Sequence, residues 1–374
     1  MTRITRSWMS ASVVIAAVLA LPAQAQAVAD DDHASTRASL GALQAISGPG
    51  AGLYAGDGAG SWSLSVGTSD IFANRPVQPT DHYRIGSQTK TFTAAAVLQL
   101  VDEGEIDLDT AIERYLPGVV DGNGYDGNTI TVRQLLQHTS GIPTSDPHPQ
   151  ASADGTYTLA ALVRDGLSHS PAFPPGTSFQ YSNTNFEILG MLIERLTGTP
   201  VSKAITSRII EPLALTGTRF PEPGDRSITT PLVHGYRGVR VGPFSYWQDI
   251  TTFEPSIFSS AGGMISTEQD LTTFYQALVD GRVISRPALN QMETPSAYSS
   301  SGLGLDRLPL PCGGAAYGHN GGVPGYLSLS LATPDGRHVS LMTNSEASLD
   351  MAAAMAKMEA AATSALCEAP AGQA

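Results

Sequence analysis

The chain has 374 residues and a formal net charge of −13; so acidic a surface repels nucleic acid and anionic lipid, and neither is an expected partner. Aliphatic and aromatic residues make up 41% of it, enough to bury a core for one large domain or two interleaved lobes. The histidines are scattered, with no HExxH or CxxC spacing, so no metal site and no cofactor are expected.

Arg3 and Arg6 precede an apolar run from Ala11 to Leu21, followed by Pro22 and small-residue cleavage options at Ala25, Ala27 and Ala29. This three-part layout predicts a secretory signal peptide and processing region over residues 1–29, and a secreted, extracellular product. The run is too short for a comfortable permanent span, so no membrane anchor is expected. Ala34 to Ile46 has helical periodicity, and Gly52–Ala55 and Trp62–Val66 read as a strand pair about a glycine-rich turn. His82–Gly86 leads into Ser87. From there to Asp102, Phe92, Ala95, Ala96, Leu98, Leu100 and Val101 predict a buried helix.

The middle of the chain reads as helices at 131–136, 159–167, 185–196 and 201–213, joined by Pro- and Gly-rich loops, with another at 267–278. Strand signals return at Tyr326–Ala332 and His338–Met342 around the turn Pro334-Asp335-Gly336, and Ser348–Leu366 closes the chain as a helix. This order predicts an α/β (α+β) fold: one antiparallel sheet built from both chain ends, flanked by helices, with an all-helical lobe inserted. The expected boundaries are a single catalytic domain over 30–374, its sheet lobe at 34–104 and 260–367 and its helical lobe at 105–259. Cys312 and Cys367 are the two cysteines, and an isolated pair in an oxidising compartment is expected to be bridged; two separate buried thiols are the alternative.

Three short segments carry chemistry. In Ser87-Gln88-Thr89-Lys90 at a helix start, positions i and i+3 share a face, so the hydroxyl can meet the amine. A serine needs such a base or cation to become a nucleophile; the bland alternative is an N-cap serine and a solvated lysine. In Tyr181-Ser182-Asn183, a tyrosine beside an ammonium is expected to favour its phenolate form and serve as a base, and the asparagine can hold a substrate amide and the lysine together. Alone, this tripeptide is a loop with an N-cap. His319-Asn320-Gly321-Gly322 offers open backbone groups to an extended ligand, or is merely a glycine bulge beside an exposed histidine.

Together these segments resemble the serine β-lactamase-like, penicillin-binding family, nearest to the secreted D-alanyl-D-alanine carboxypeptidases of actinomycetes and then class C β-lactamases. The likeness runs from about residue 80 to 367 and includes Arg84–Lys90, Leu98–Gly104, Leu135–Gly141, Tyr181–Phe186, Ser260–Gly263, Tyr317–His319 and the two cysteines. It implies that Ser87 is the acylated nucleophile, with Lys90 and Tyr181 as the proton-transfer pair and Asn183 orienting substrate. It further implies an oxyanion hole from the backbone N–H groups of Ser87 and Gly322, with His319 where many relatives carry lysine. Gln88, Asn320, Gly321 and Arg307 are the expected substrate contacts. Asp102, Glu103, His138 and Tyr317 are read as structural.

The expected partner is a small-molecule or peptide substrate (a D-amino-acid peptide, a peptidoglycan stem peptide or a β-lactam), and the protein is expected to be a monomer. The leading expectation is a D-alanyl-D-alanine carboxypeptidase-like D-peptidase. A class C-like β-lactamase, or an esterase, D-aminopeptidase or D-amino-acid amidase on the same fold, are the alternatives. A non-catalytic wall-binding protein is disfavoured because every expected side chain is present. Two departures weaken recognition of a free carboxylate. Asp306 stands six residues before Cys312, where the carboxypeptidases are expected to carry an arginine, and the third motif lacks their threonine hydroxyls.

Overall fold

Runs of alternating and continuous apolar residues at the two ends of the chain meet in one sheet. A computed structural model of the protein describes residues 33–145, 149–241, 244–345 and 350–368; the expected signal segment, residues 1–29, lies outside them. Helix α1 (Ala34–Ser47) leads into strands β1 (Gly50–Gly56) and β2 (Ser61–Gly67), then β3 (Tyr83–Arg84) and helix α2 (Thr89–Asp102). The central block holds β4 (Asp121–Gly122), β5 (Tyr125–Asp126), α3 (Val132–Leu136), α4 (Leu159–Ser168), α5 (Asn183–Thr197), α6 (Val201–Ile205), β6 (Tyr236–Val241) and β7 (Phe244–Asp249). After it come α7 (Ser259–Gly262), β8 (Ile265–Ser266), α8 (Glu268–Val279) and α9 (Arg286–Met292). The chain returns through β9 (Asp306–Pro309), β10 (Ala315–Val323), β11 (Tyr326–Ala332), β12 (His338–Thr343) and α10 (Met351–Cys367).

The main sheet has the order β2-β1-β12-β11-β10-β9 and is antiparallel throughout, so the first strands pair directly with the last. Leu53 of β1 lies opposite Leu341 of β12, which in turn faces Leu329 of β11. On this side the sheet is sealed by α1 and α10, whose Leu40, Leu43, Ala354, Met358, Ala361 and Leu366 pack with those leucines in one buried cluster. The opposite face is covered by α8, and beyond it lies the larger core around Phe92, Phe186, Phe274 and Tyr326. Helix α2 runs through that core with 11 of its 14 residues buried. A helix apolar on all sides belongs inside a core, which is why its periodicity is blunt.

The insert is not all-helical. Besides its helices it carries the hairpins β4–β5 and β6–β7. The second is held by cross-strand pairs such as Val239 with Tyr246 and Arg237 with Gln248. Phe244 and Tyr246 are exposed, so no buried face imposes the apolar–polar alternation by which a strand is read from sequence. The segment expected as one helix over 201–213 is α6 continued by a single π-helical stretch, Thr206–Ile210. Cys312 and Cys367 are bridged, tying the turn between β9 and β10 to the end of α10. No helix among the described residues is long and apolar enough to cross a membrane.

Candidate active site

Ser87 sits in the single 3-10 turn Gly86–Gln88 that opens α2. Gly86 has φ +55, and a Cβ there would lie 2.8 Å from the Gly322 nitrogen, so a glycine lets the serine turn and β10 touch backbone to backbone. Gly321 makes the same approach from the other side, because a Cβ on it would fall 1.9 Å from the Ile85 carbonyl oxygen. Strand β9 pairs only with Ala315–Gly318 of β10, and the edge from His319 onward is left open beside Ser87. Such an edge can receive an extended ligand.

Lys90, one turn on, is fully buried. Its Nζ is 3.2 Å from Ser87 Oγ and donates to Asn183 Oδ1 (2.8 Å) and to the Ala261 carbonyl (2.7 Å). The last two partners can only accept, and a neutral amine has two N–H bonds and one lone pair. Donating to both acceptors therefore leaves the lone pair for the Ser87 hydroxyl. Burial lowers the Lys90 ammonium to about 7, against a smaller opposing pull from Glu187. Glu187, buried one turn beyond Asn183 on α5, has both carboxylate oxygens without hydrogen-bond partners, and burial raises it to about 8.

The Tyr181 ring lies at the mouth, two-fifths exposed, with Lys90 Nζ 4.7 Å from its centroid. Desolvation pushes its hydroxyl above the ordinary phenol range, the neighbouring Ser87 hydroxyl pulling it back. At neutral pH the tyrosine is thus the protonated partner and the lysine the basic one, the reverse of what an ammonium beside a phenolate would give. His138 stacks on Tyr181 at 4.5 Å, and its Nδ1 accepts from the Ser182 backbone N–H. Burial, then the nearby Lys90, hold this imidazole well below its ordinary value, so it is neutral. Asn183 opens α5, its backbone N–H donating to Thr144 Oγ1.

These groups border a cleft of about 360 Å³ lined by Ser87, Tyr181, His319 and Asn320 from the expected set, and by His138, Phe179, Ser301 and Asp306. His319 is buried, with Nδ1 against the Asn320 carbonyl oxygen, and burial lowers it despite the opposing charge of Asp306. Two expected contacts need correction. Arg307 does not face the cleft: side chains alternate along β9, so Asp306 lines it and Arg307 is exposed on the other side. Gln88 is buried and spends its amide N–H on Ser328 Oγ of β11, so it supports the sheet and is not part of the cleft wall.

Asp102 caps α9 through the Ser285 backbone N–H, and Glu103 pairs with Arg208, away from the cleft. Sequence reasoning left Glu187, the Ala261 carbonyl and Ser301 without roles at the site. The first two reach Lys90 only through tertiary packing. No local pattern announces that.

A buried helix opening on Ser87, an amine wedged between it and the inserted block, and an open strand edge are the arrangement of the serine hydrolases of the penicillin-recognising fold. Residues 32–363 match the family described as Beta-lactamase, and the chain belongs to that family. Among solved structures it is similar to a D-stereospecific amidohydrolase from Streptomyces sp., at 42% identity over 87% of this chain and 98% of that one, with a TM-score of 0.76. The D-amino acid amidase from Ochrobactrum anthropi SV3 superposes with a TM-score of 0.77 at 26% identity, covering 89% of this chain and 98% of that one. Among curated relatives, Protein flp of Staphylococcus aureus (strain N315) is 32% identical over 161 residues, spanning 43% of this chain and only 32% of that protein. A putative penicillin-binding protein, PbpX of Bacillus subtilis (strain 168), is 25% identical over 71% of this chain and 62% of its own length.

Proposed function

We propose that the protein is a secreted serine amidohydrolase that cleaves small amides or peptides of D-amino acids through a Ser87 acyl-enzyme, with no requirement for a terminal carboxylate. The observation that carries this reading is the cleft wall: Asp306 faces the nucleophile and Arg307 is turned away, so a free carboxylate would meet an anion instead of a bidentate guanidinium. The likeness to amidases of D-amino acids supports the same direction.

In the proposed reaction neutral Lys90 takes the Ser87 proton as Oγ attacks the amide carbonyl. The negative charge on the carbonyl oxygen is received by the backbone N–H groups of Ser87 and Gly322, where one such donor contributes about 3 kcal/mol in comparable sites. Collapse of the tetrahedral adduct breaks the C–N bond, and Tyr181 gives its proton to the leaving amine while the Lys90 ammonium restores it. Water then attacks the ester, the same pair moving its proton, and the acid leaves with Ser87 regenerated. Asn183 holds both Lys90 and the incoming amide, and Asn320 and Gly321 offer polar contacts along the strand edge. The test is hydrolysis of D-phenylalanine amide beside that of a D-Ala-D-Ala dipeptide. Faster turnover of the amide is expected, and a strong preference for the free-acid dipeptide would overturn the proposal.

A further inference from the structure

Asp306 is the acidic side chain of the cleft, and among the described residues it forms no ion pair. Its Oδ1 accepts from Ser301 Oγ at 2.5 Å, which fixes the carboxylate without cancelling its charge. His319, the ionisable neighbour on the adjoining strand, is held neutral by burial and so does not cancel it either. Lys90 is committed to Ser87, Asn183 and Ala261. A carboxylate fixed in a small cleft with no cation of its own is a receptor for one. The cleft is at the small end of the about 300–1,000 Å³ typical of ligand pockets, suited to a single amino-acid unit. The net charge of −13 draws cationic substrates toward it.

We infer that Asp306 is the specificity-determining residue of the site and binds the free α-ammonium of the substrate, so that the enzyme takes D-amino-acid amides or esters with an unblocked amino group and discriminates against N-acylated ones. The inference rests on the proposed amidohydrolase reading and names the substrate class within it. The Coulombic attraction of the ammonium for Asp306 stays through acylation, because the amino group remains on the acyl part.

The test compares D-phenylalanine p-nitroanilide with its N-acetyl derivative, on the wild type and on Asp306→Asn, an isosteric change that keeps an acceptor for Ser301. The wild type should favour the free amine at least tenfold in kcat/KM, with KM for that substrate rising as salt is added. In Asp306→Asn this ratio should collapse toward one, chiefly through a higher KM for the free amine. Labelling of both proteins with a fluorophosphonate, located by peptide mass, monitors Ser87 separately. A wild type that labels normally but shows no preference, or an Asp306→Asn variant that labels and retains it, would overturn the ammonium assignment alone. A wild type that neither labels at Ser87 nor cleaves either anilide would overturn the underlying hydrolase reading.

Discussion

At the scale of single residues, reactivity turns on which group holds the proton. Lys90, lowered to about 7, is an ammonium below that pH and a base above it, so kcat/KM for an amide should fall on the acid side with a limb near pH 7. Glu187 opposes the lowering. Glu187, raised to about 8, is itself mostly protonated where Lys90 titrates, so Glu187→Gln should move the limb only slightly and to lower pH, and a limb raised or strongly displaced in a pH–rate profile would contradict burial as the main cause of the Lys90 shift. Lys90→Met should cost about a thousandfold in kcat/KM, the usual scale for losing a general base, while binding of a competitive product changes far less. The Ser-x-x-Lys, Tyr-x-Asn and His-Asn-Gly-Gly segments could be read from the sequence because each is a short fixed spacing. What Lys90 does with its third hydrogen bond could not, because Ala261 lies 171 residues away.

At the scale of elements, the closest constraint is the contact between the serine turn and β10. Gly321→Ala would set a methyl 1.9 Å from the Ile85 carbonyl oxygen. Relief requires the strand to move, so stability should fall by about 1–3 kcal/mol in denaturant unfolding, and activity should fall with it because the strand carries the Gly322 N–H. A variant with unchanged stability and rate would show that the two backbones do not need to touch. The same elements show what patterning could and could not give. Strands β1, β2, β11 and β12 and helices α1, α2 and α8 were legible because one face or all faces are buried. Strand β10 reads from sequence only as a glycine segment ahead of a strand, since five of its nine residues, Ala315, Ala316, Gly318, Gly321 and Gly322, have little or no side chain to alternate. Strand β9 is four residues with the two charges of Asp306 and Arg307 at its start, and only its alternation in the folded sheet decides which charge meets the substrate.

At the scale of the whole molecule, a sheet assembled from both chain ends must close a long connection before β1 pairs with β12, while the Cys312–Cys367 bridge ties together the C-terminal strands and α10. With a sequence separation of 55 between the cysteines, the chain-entropy relation gives about 4 kcal/mol. Replacing both cysteines by serine should therefore lower the urea midpoint markedly while the cleft, which neither cysteine borders, keeps its shape. An unchanged midpoint would mean that the bridge adds nothing to the fold. The central claim is that all of this architecture serves one covalent step at Ser87. Intact mass spectrometry of the protein and of Ser87→Ala, quenched during turnover of a D-phenylalanine ester, tests it most directly. An adduct with the mass of the D-phenylalanyl group is expected on the wild type, mapped to Ser87, and none on the variant. Equal turnover by Ser87→Ala, or an adduct on another residue, would contradict it.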